Sequence, residues 1–184
     1  MRKALLLVLL ALGTTAGCGV PVDRSPRDLD PSHVVYGSDA PAPDRFGNAV
    51  ERLYLVRDGK LIRVLRRLPA ARTPQQMVQD LVAGPTRKEQ QDGLTSALST
   101  MQVGATTITQ RRAAVEIGAP AVPGARSDEV LAYAQIVCTL TSQGAEVGTV
   151  SFTRGGRPLA VPRGDGLLST GPLTIADYAD LIGS

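Results

Sequence analysis

The side chains in this sequence that can do chemistry are few: two cysteines (Cys18 and Cys138), one histidine (His33), and a set of carboxylates that could meet in pairs. A nucleophile needs a base held within hydrogen-bond reach. His33 lies among Pro26, Pro31, Pro41 and Pro43, where no pocket can hold it. Cys138 sits in the apolar run Ile136-Val137-Cys138-Thr139-Leu140, which reads as a small buried hydrophobe. No Gly-x-Ser-x-Gly elbow, Walker loop or zinc-type Cys/His spacing occurs, so no cofactor and no metal are expected. Arg163-Gly164-Asp165-Gly166 reads as turn chemistry rather than as a phosphate loop. The acids that can converge are Glu116, on a strand, and Asp128 or Glu129, at a helix start. Two carboxylates of this kind cleave glycosidic bonds. A chain with no tryptophan and 3% aromatic residues offers little for sugar stacking, and acids at strand and cap positions are usually solvated.

Cys18 has a more specific setting. Arg2 and Lys3 precede an unbroken apolar run from Ala4 to Leu12, and Gly13-Thr14-Thr15-Ala16-Gly17 leads into the cysteine. A basic start, a short apolar stretch and small residues at a cleavage point describe a secretory signal peptide. The run is well short of the ~20 residues that span a bilayer. Small residues immediately before a cysteine resemble a bacterial lipobox. That resemblance implies cleavage before Cys18, diacylglycerol on its sulfur, and residence at the extracytoplasmic face of the cell membrane. Thr15 stands where lipoboxes usually carry leucine; an ordinary signal peptide would leave Cys18 as a thiol or in a disulfide.

Removing residues 1–17 takes away Arg2 and Lys3 and lowers the formal charge from +3 to +1. A nearly neutral remainder has no electrostatic footprint for nucleic acid. The doublets Arg66-Arg67 and Arg111-Arg112 read as solvated strand-end or turn residues. Residues 18–45 are rich in Pro, Asp, Ser and Gly and read as a tether, on the order of 80 Å if drawn out as polyproline II. Residues 46–184 are long enough for one domain with a core, built of Leu, Val, Ile and Ala.

That domain divides cleanly. Residues 50–56 and 61–66 read as a hairpin turning at Asp58-Gly59. Thr73, Pro74 and Gln76 mark a capped helix with Met77, Val78, Leu81 and Val82 as its stripe, ended by Gly84-Pro85. A short helical turn near 87–91 precedes a second hairpin, 106–109 and 113–117, turning near Gln110–Arg112. Ser127 can cap a second long helix that is apolar except for a narrow stripe of Asp128, Gln135, Thr139 and Ser142. A strand at 147–154, an edge strand at 158–161 and a short helix capped by Thr174 complete the order ββα, ββ, α, ββ, α. This pattern predicts an α+β fold: a single small domain, a mixed sheet, and helices packed mainly on one face.

The segments Leu53-Tyr54-Leu55-Val56-Arg57-Asp58-Gly59, Leu81-Val82-Ala83-Gly84-Pro85-Thr86 and Gly93-Leu94-Thr95-Ser96-Ala97-Leu98 occur in this order. Leu131-Ala132-Tyr133-Ala134-Gln135-Ile136-Val137-Cys138-Thr139-Leu140, Val150-Ser151-Phe152 and Pro172-Leu173-Thr174-Ile175-Ala176-Asp177-Tyr178 follow. The ordered set resembles the GerMN domain of bacterial sporulation and spore-germination proteins and lipoproteins, over roughly residues 50 to 180. Cys138 stands where that family often has an aromatic residue. The resemblance implies a non-catalytic module in an envelope assembly and transfers no catalytic residues. The expected partners are the membrane, through lipid on Cys18, and another envelope protein, with self-association through a sheet edge also open. The alternative is a cell-wall glycan-acting enzyme using the paired carboxylates.

Overall fold

The computed structural model describes residues 49–119, 129–144 and 146–183, all within the unit Ala42–Ser184. Cys18, His33, Ser127 and Asp128 lie outside the described residues, as do the signal and tether segments. Strands β1 (Ala49–Arg57) and β2 (Lys60–Leu68) pair antiparallel over their whole length. Asp58 and Gly59 join them at φ of 52° and 71°. Two positive φ angles give the turn type that matches strand twist, and Asp-Gly is a pair that tolerates them.

Helix α1 (Pro74–Ala83) starts where the sequence predicts. Thr73 Oγ1 accepts the Gln76 N–H, and Gln76 Oε1 accepts the Thr73 N–H at 2.9 Å. Met77, Val78 and Leu81 are buried, but Val82 is 45% exposed. It lies one residue past Leu81, about 100° round the helix, and so falls off the buried stripe. Helix α2 (Arg87–Gln91) repeats the capping box with Thr86 and Glu89.

Strands β3 (Val103–Thr109) and β4 (Arg112–Ile117) form the second hairpin, with Gln110 and Arg111 at φ of 49° and 63°. Helix α3 (Glu129–Thr141) crosses back so that β5 (Thr149–Arg154) lies parallel to β4. The two-residue β6 (Arg157–Pro158) closes this mixed four-stranded sheet. The predicted last strand breaks in two: β7 (Val161–Pro162) leaves the sheet to pair with β8 (Leu168–Ser169). Pro158 and Pro162 lack the N–H a continuous ladder would need. The strands thus fall into three sheets rather than one, and single bridges at Val56/Thr95, Leu61/Ile182 and Val150/Leu173 tie loop residues to strands β1, β2 and β5. The final predicted helix is a 3-10 segment, Ile175–Leu181, kinked at Tyr178. Gly164 packs on it so closely that a Cβ would sit 2.9 Å from the Asp177 carbonyl oxygen.

Nine consecutive residues of α3, Ala132–Leu140, are buried, and Tyr133 meets Phe152 edge-to-face at 4.9 Å. Gln135 and Thr139 are fully buried, and they serve the outer edge of β1. Gln135 Nε2 donates to the Tyr54 carbonyl at 2.9 Å, while its Oε1 accepts the Ala97 N–H at 2.7 Å. Thr139 Oγ1 accepts the Tyr54 N–H at 3.0 Å. Gln143, just beyond the helix, accepts the Arg52 N–H and donates to the Arg52 carbonyl. Four helical residues rise about 6 Å and two strand residues about 6.8 Å. Side chains four residues apart on the helix can therefore follow a strand edge, here Gln135 and Thr139 both serving Tyr54 and Gln143 serving Arg52.

Replacing Gln135 by Leu keeps the volume but leaves the Tyr54 carbonyl and the Ala97 N–H without partners. Its expected cost is about 2–4 kcal/mol, read by urea denaturation with the slope unchanged. A loss below about 0.5 kcal/mol would show that the row is not what closes β1.

Candidate functional site

Glu116 and Glu129 are each engaged locally. The Glu116 carboxylate accepts the Thr153 hydroxyl at 2.6 Å and the Gly155 N–H, closing the β5–β6 turn. The Thr153 hydrogen bond, aided by the turn N–H groups, holds it below the usual carboxylate range. A glycosidase acid needs the opposite shift. Glu129 accepts the Tyr133 hydroxyl at 3.5 Å within its own helix. Cys138 is fully buried, and burial pushes its thiol up to about 12, which makes it a packing residue. Arg163, Gly164 and Asp165 form a turn, with Asp165 accepting the Leu167 N–H at 3.0 Å.

The structure assembles a charged cluster that sequence reasoning missed. Arg66 faces Glu51 across the hairpin. It is not the solvated strand-end residue the doublet suggested: its guanidinium grips both Glu89 carboxylate oxygens at 2.7 and 3.0 Å and donates to the Gly84 carbonyl at 3.1 Å. That grip, the largest influence on Glu89, lowers its carboxyl, and the pair locks β2 to the α1–α2 junction. Arg72 pairs with Asp80 of α1 at 3.0 Å. Two cations thus answer two carboxylates, and Glu51 is left over. It is 2% exposed, and neither of its oxygens has a hydrogen-bond partner among the described residues. Burial first, and then the neighbouring Asp80 carboxylate, raise it to about 7.

Beside Glu51 is a cavity of about 150 Å³, lined also by Arg72, Leu68, Met77, Gln143 and Glu146. A carboxyl near 7 is in the range of a general acid. The cavity is smaller than the ~300 Å³ at which ligand pockets begin, and the Glu51 oxygens are sealed from solvent. Its strongest physical consequence is for stability. No group of three or more metal-ligating side chains occurs among the described residues. Two signals for the cluster were in the sequence: the Thr86-x-x-Glu89 capping spacing, and the hairpin register that sets Glu51 opposite Arg66. Asp80 and Arg72 carried none.

Residues 42–160 match the Germane family, described as sporulation and spore germination. The chain belongs to this family. The first GerMN domain of the sporulation protein GerM from Bacillus subtilis superposes with a TM-score of 0.55 at 22% identity, over 68% of this chain and 97% of that one. The tandem GerMN domains of the same protein give 0.54 at 17% identity, over 74% of this chain. The chain spans about half, 48%, of that tandem structure. No curated protein matches. At these identities the likeness is one of fold, and it establishes the α+β Germane architecture. The family match ends at residue 160. The β7–β8 ladder and the 3-10 segment that buries Tyr178 lie beyond it.

A carboxyl raised by folding stabilises the protein in its neutral form. For Glu51 this contribution is complete below the ordinary value of 4.5 and is lost as pH rises to about 7. The lowered Glu89 works the other way, losing its contribution as pH falls through its folded value. Glu51→Gln is expected to remove the decline between pH 5 and 7.5, worth up to about 3 kcal/mol. Thermal melts of both proteins across that range test it; parallel curves would refute the assignment.

Proposed function

We propose that this chain is a lipid-anchored protein of the extracytoplasmic membrane face, whose Germane domain is a non-catalytic protein-binding module of the bacterial cell envelope. The observation that carries the binding role is an open strand edge on β2, where the edge strands β1, β3 and β6 are covered, interrupted or short among the described residues. β1 is covered by α3 side chains. β3 is interrupted by a bulge, and Gln75 Oε1 accepts its Thr106 N–H at 2.5 Å. β6 is two residues long and ends in proline. β2 has no such cover from Arg63 to Arg67 among the described residues. An uncovered edge is a template for another chain.

The anchor rests on the sequence around Cys18. No helix among the described residues is long and apolar enough to cross a membrane. Two acyl chains, at about 0.8 kcal/mol per buried methylene, hold a protein stably where one does not. The tether and the lipid would together set where the open edge can meet a partner. The alternative glycan-cutting role is weakened by Glu116, whose carboxylate is held ionised as a turn acceptor.

Cys18→Ala is expected to abolish incorporation of labelled lipid precursor and to shift the protein out of the membrane fraction. Incorporation that survives the substitution would sink the anchor. Purified protein incubated with peptidoglycan should release no muropeptides on chromatography, and release abolished by Glu116→Gln would establish the enzymatic alternative instead.

A further inference from the structure

In an antiparallel pair, each residue's N–H and C=O point to the same side of the strand. Arg52 and Tyr54 turn theirs away from β2, toward α3. Their cross-strand partners Leu65 and Arg63 must therefore turn theirs away from β1, and Arg67, opposite Val50, does likewise. Leu61 shares this parity and already uses that side. Its carbonyl accepts the Gly183 N–H at 2.9 Å, in a parallel bridge with Ile182. The edge of β2 thus accepts one strand residue at Leu61, and then runs bare, among the described residues, past Arg63, Leu65 and Arg67.

The side chains on the outer face of this edge are specific. Arg63 and Arg67 are exposed and make no ion pair among the described residues; Leu65 between them is 59% exposed. A second copy pairing antiparallel about Leu65 would set Arg63 against Arg67 twice, and like charges directly opposite are destabilising. A strand with acids at those positions meets opposite charges instead. On the inner face, half-buried Val64 would extend the core onto an apolar neighbour of the incoming strand.

We propose that the β2 edge from Arg63 to Arg67 binds an acidic extended segment of a partner protein as an added strand, with the pattern acid, apolar, apolar, apolar, acid. The two acids pair with Arg63 and Arg67, the middle apolar residue packs on Leu65, and the other two face inward beside Val64 and Arg66. The pattern reads the same in either strand direction. The proposal rests on the binding-module reading and adds the chemistry of the partner to it.

The test uses the full chain carrying Cys18→Ala in zwitterionic detergent, titrated with the capped peptide Thr-Asp-Val-Leu-Val-Asp-Thr and followed by amide NMR. The expected result is saturable shifts and slowed amide exchange at Arg63, Leu65 and Arg67. Binding should be at least tenfold weaker for the peptide with Lys in place of both Asp, and for the double variant Arg63→Glu, Arg67→Glu, whose exposed sites leave folding intact. Leu65→Pro removes an outward N–H and should abolish binding. Equal affinity for the two peptides, shifts confined to β3, or a concentration-dependent dimer that Leu65→Pro dissolves would each overturn the proposal. Crosslinking in membranes separates it from the broader reading. Envelope proteins captured equally by the double variant would refute the edge while keeping the module, and peptide binding without any envelope partner would do the reverse.

Discussion

A strand at the edge of a core must satisfy every outward N–H and C=O without water, and β1 meets this demand with side chains of α3. Tyr54 has both backbone groups bonded by Thr139 and Gln135, and Arg52 is served by Gln143. Leaving such groups unpaired would cost about 1–3 kcal/mol each. The helix therefore has a fixed rotation and a fixed axial position against the hairpin. Much else follows from that position. Tyr133 is brought onto Phe152, β5 is placed beside β4, and Ala97 is tied in through the second end of the Gln135 amide.

The hairpin is held from its other side by charge. Arg66 reaches past the sheet to Glu89 and Gly84, so that β2, α1 and α2 share one guanidinium. The pairing is local and neutral except at Glu51, which has no cation of its own. Removing one partner of a buried pair costs far more than exchanging both for apolar residues. This cluster therefore fixes the arrangement of elements more than it adds net stability, and burial with Asp80 beside it raises its odd carboxyl.

These two devices leave the hairpin asymmetric. The β1 edge is spent on the interior, while the β2 edge has one bridge at Leu61 and is otherwise uncovered among the described residues. Arginines along a bare edge discourage pairing between like copies. Among the described residues, Glu116 is engaged in a turn and the Glu51 oxygens are out of solvent reach.

Local signals in the sequence were sufficient for the hairpins, for α1 with its capping box and glycine stop, for the buried Cys138 and for the α+β class. Each depends on residues within a few positions of one another: Asp58-Gly59, Thr73-Pro74-Gln76, and the apolar run of α3. The setting of Cys18 is also a linear motif, but it lies outside the described residues, and its lipidation stands as a proposal. Tertiary structure decided what local pattern leaves open. Gln135 and Thr139 are only a narrow polar stripe in the sequence until a strand edge 81 to 85 residues away takes their hydrogen bonds. Arg66 and Arg67 are identical neighbours whose fates differ, because a strand sends adjacent side chains to opposite faces and Glu89 waits on only one of them. Glu51 is an ordinary acid in the sequence. Its burial, its neighbour Asp80 and its missing cation arise only when β1, α1 and the Arg72 loop are packed together.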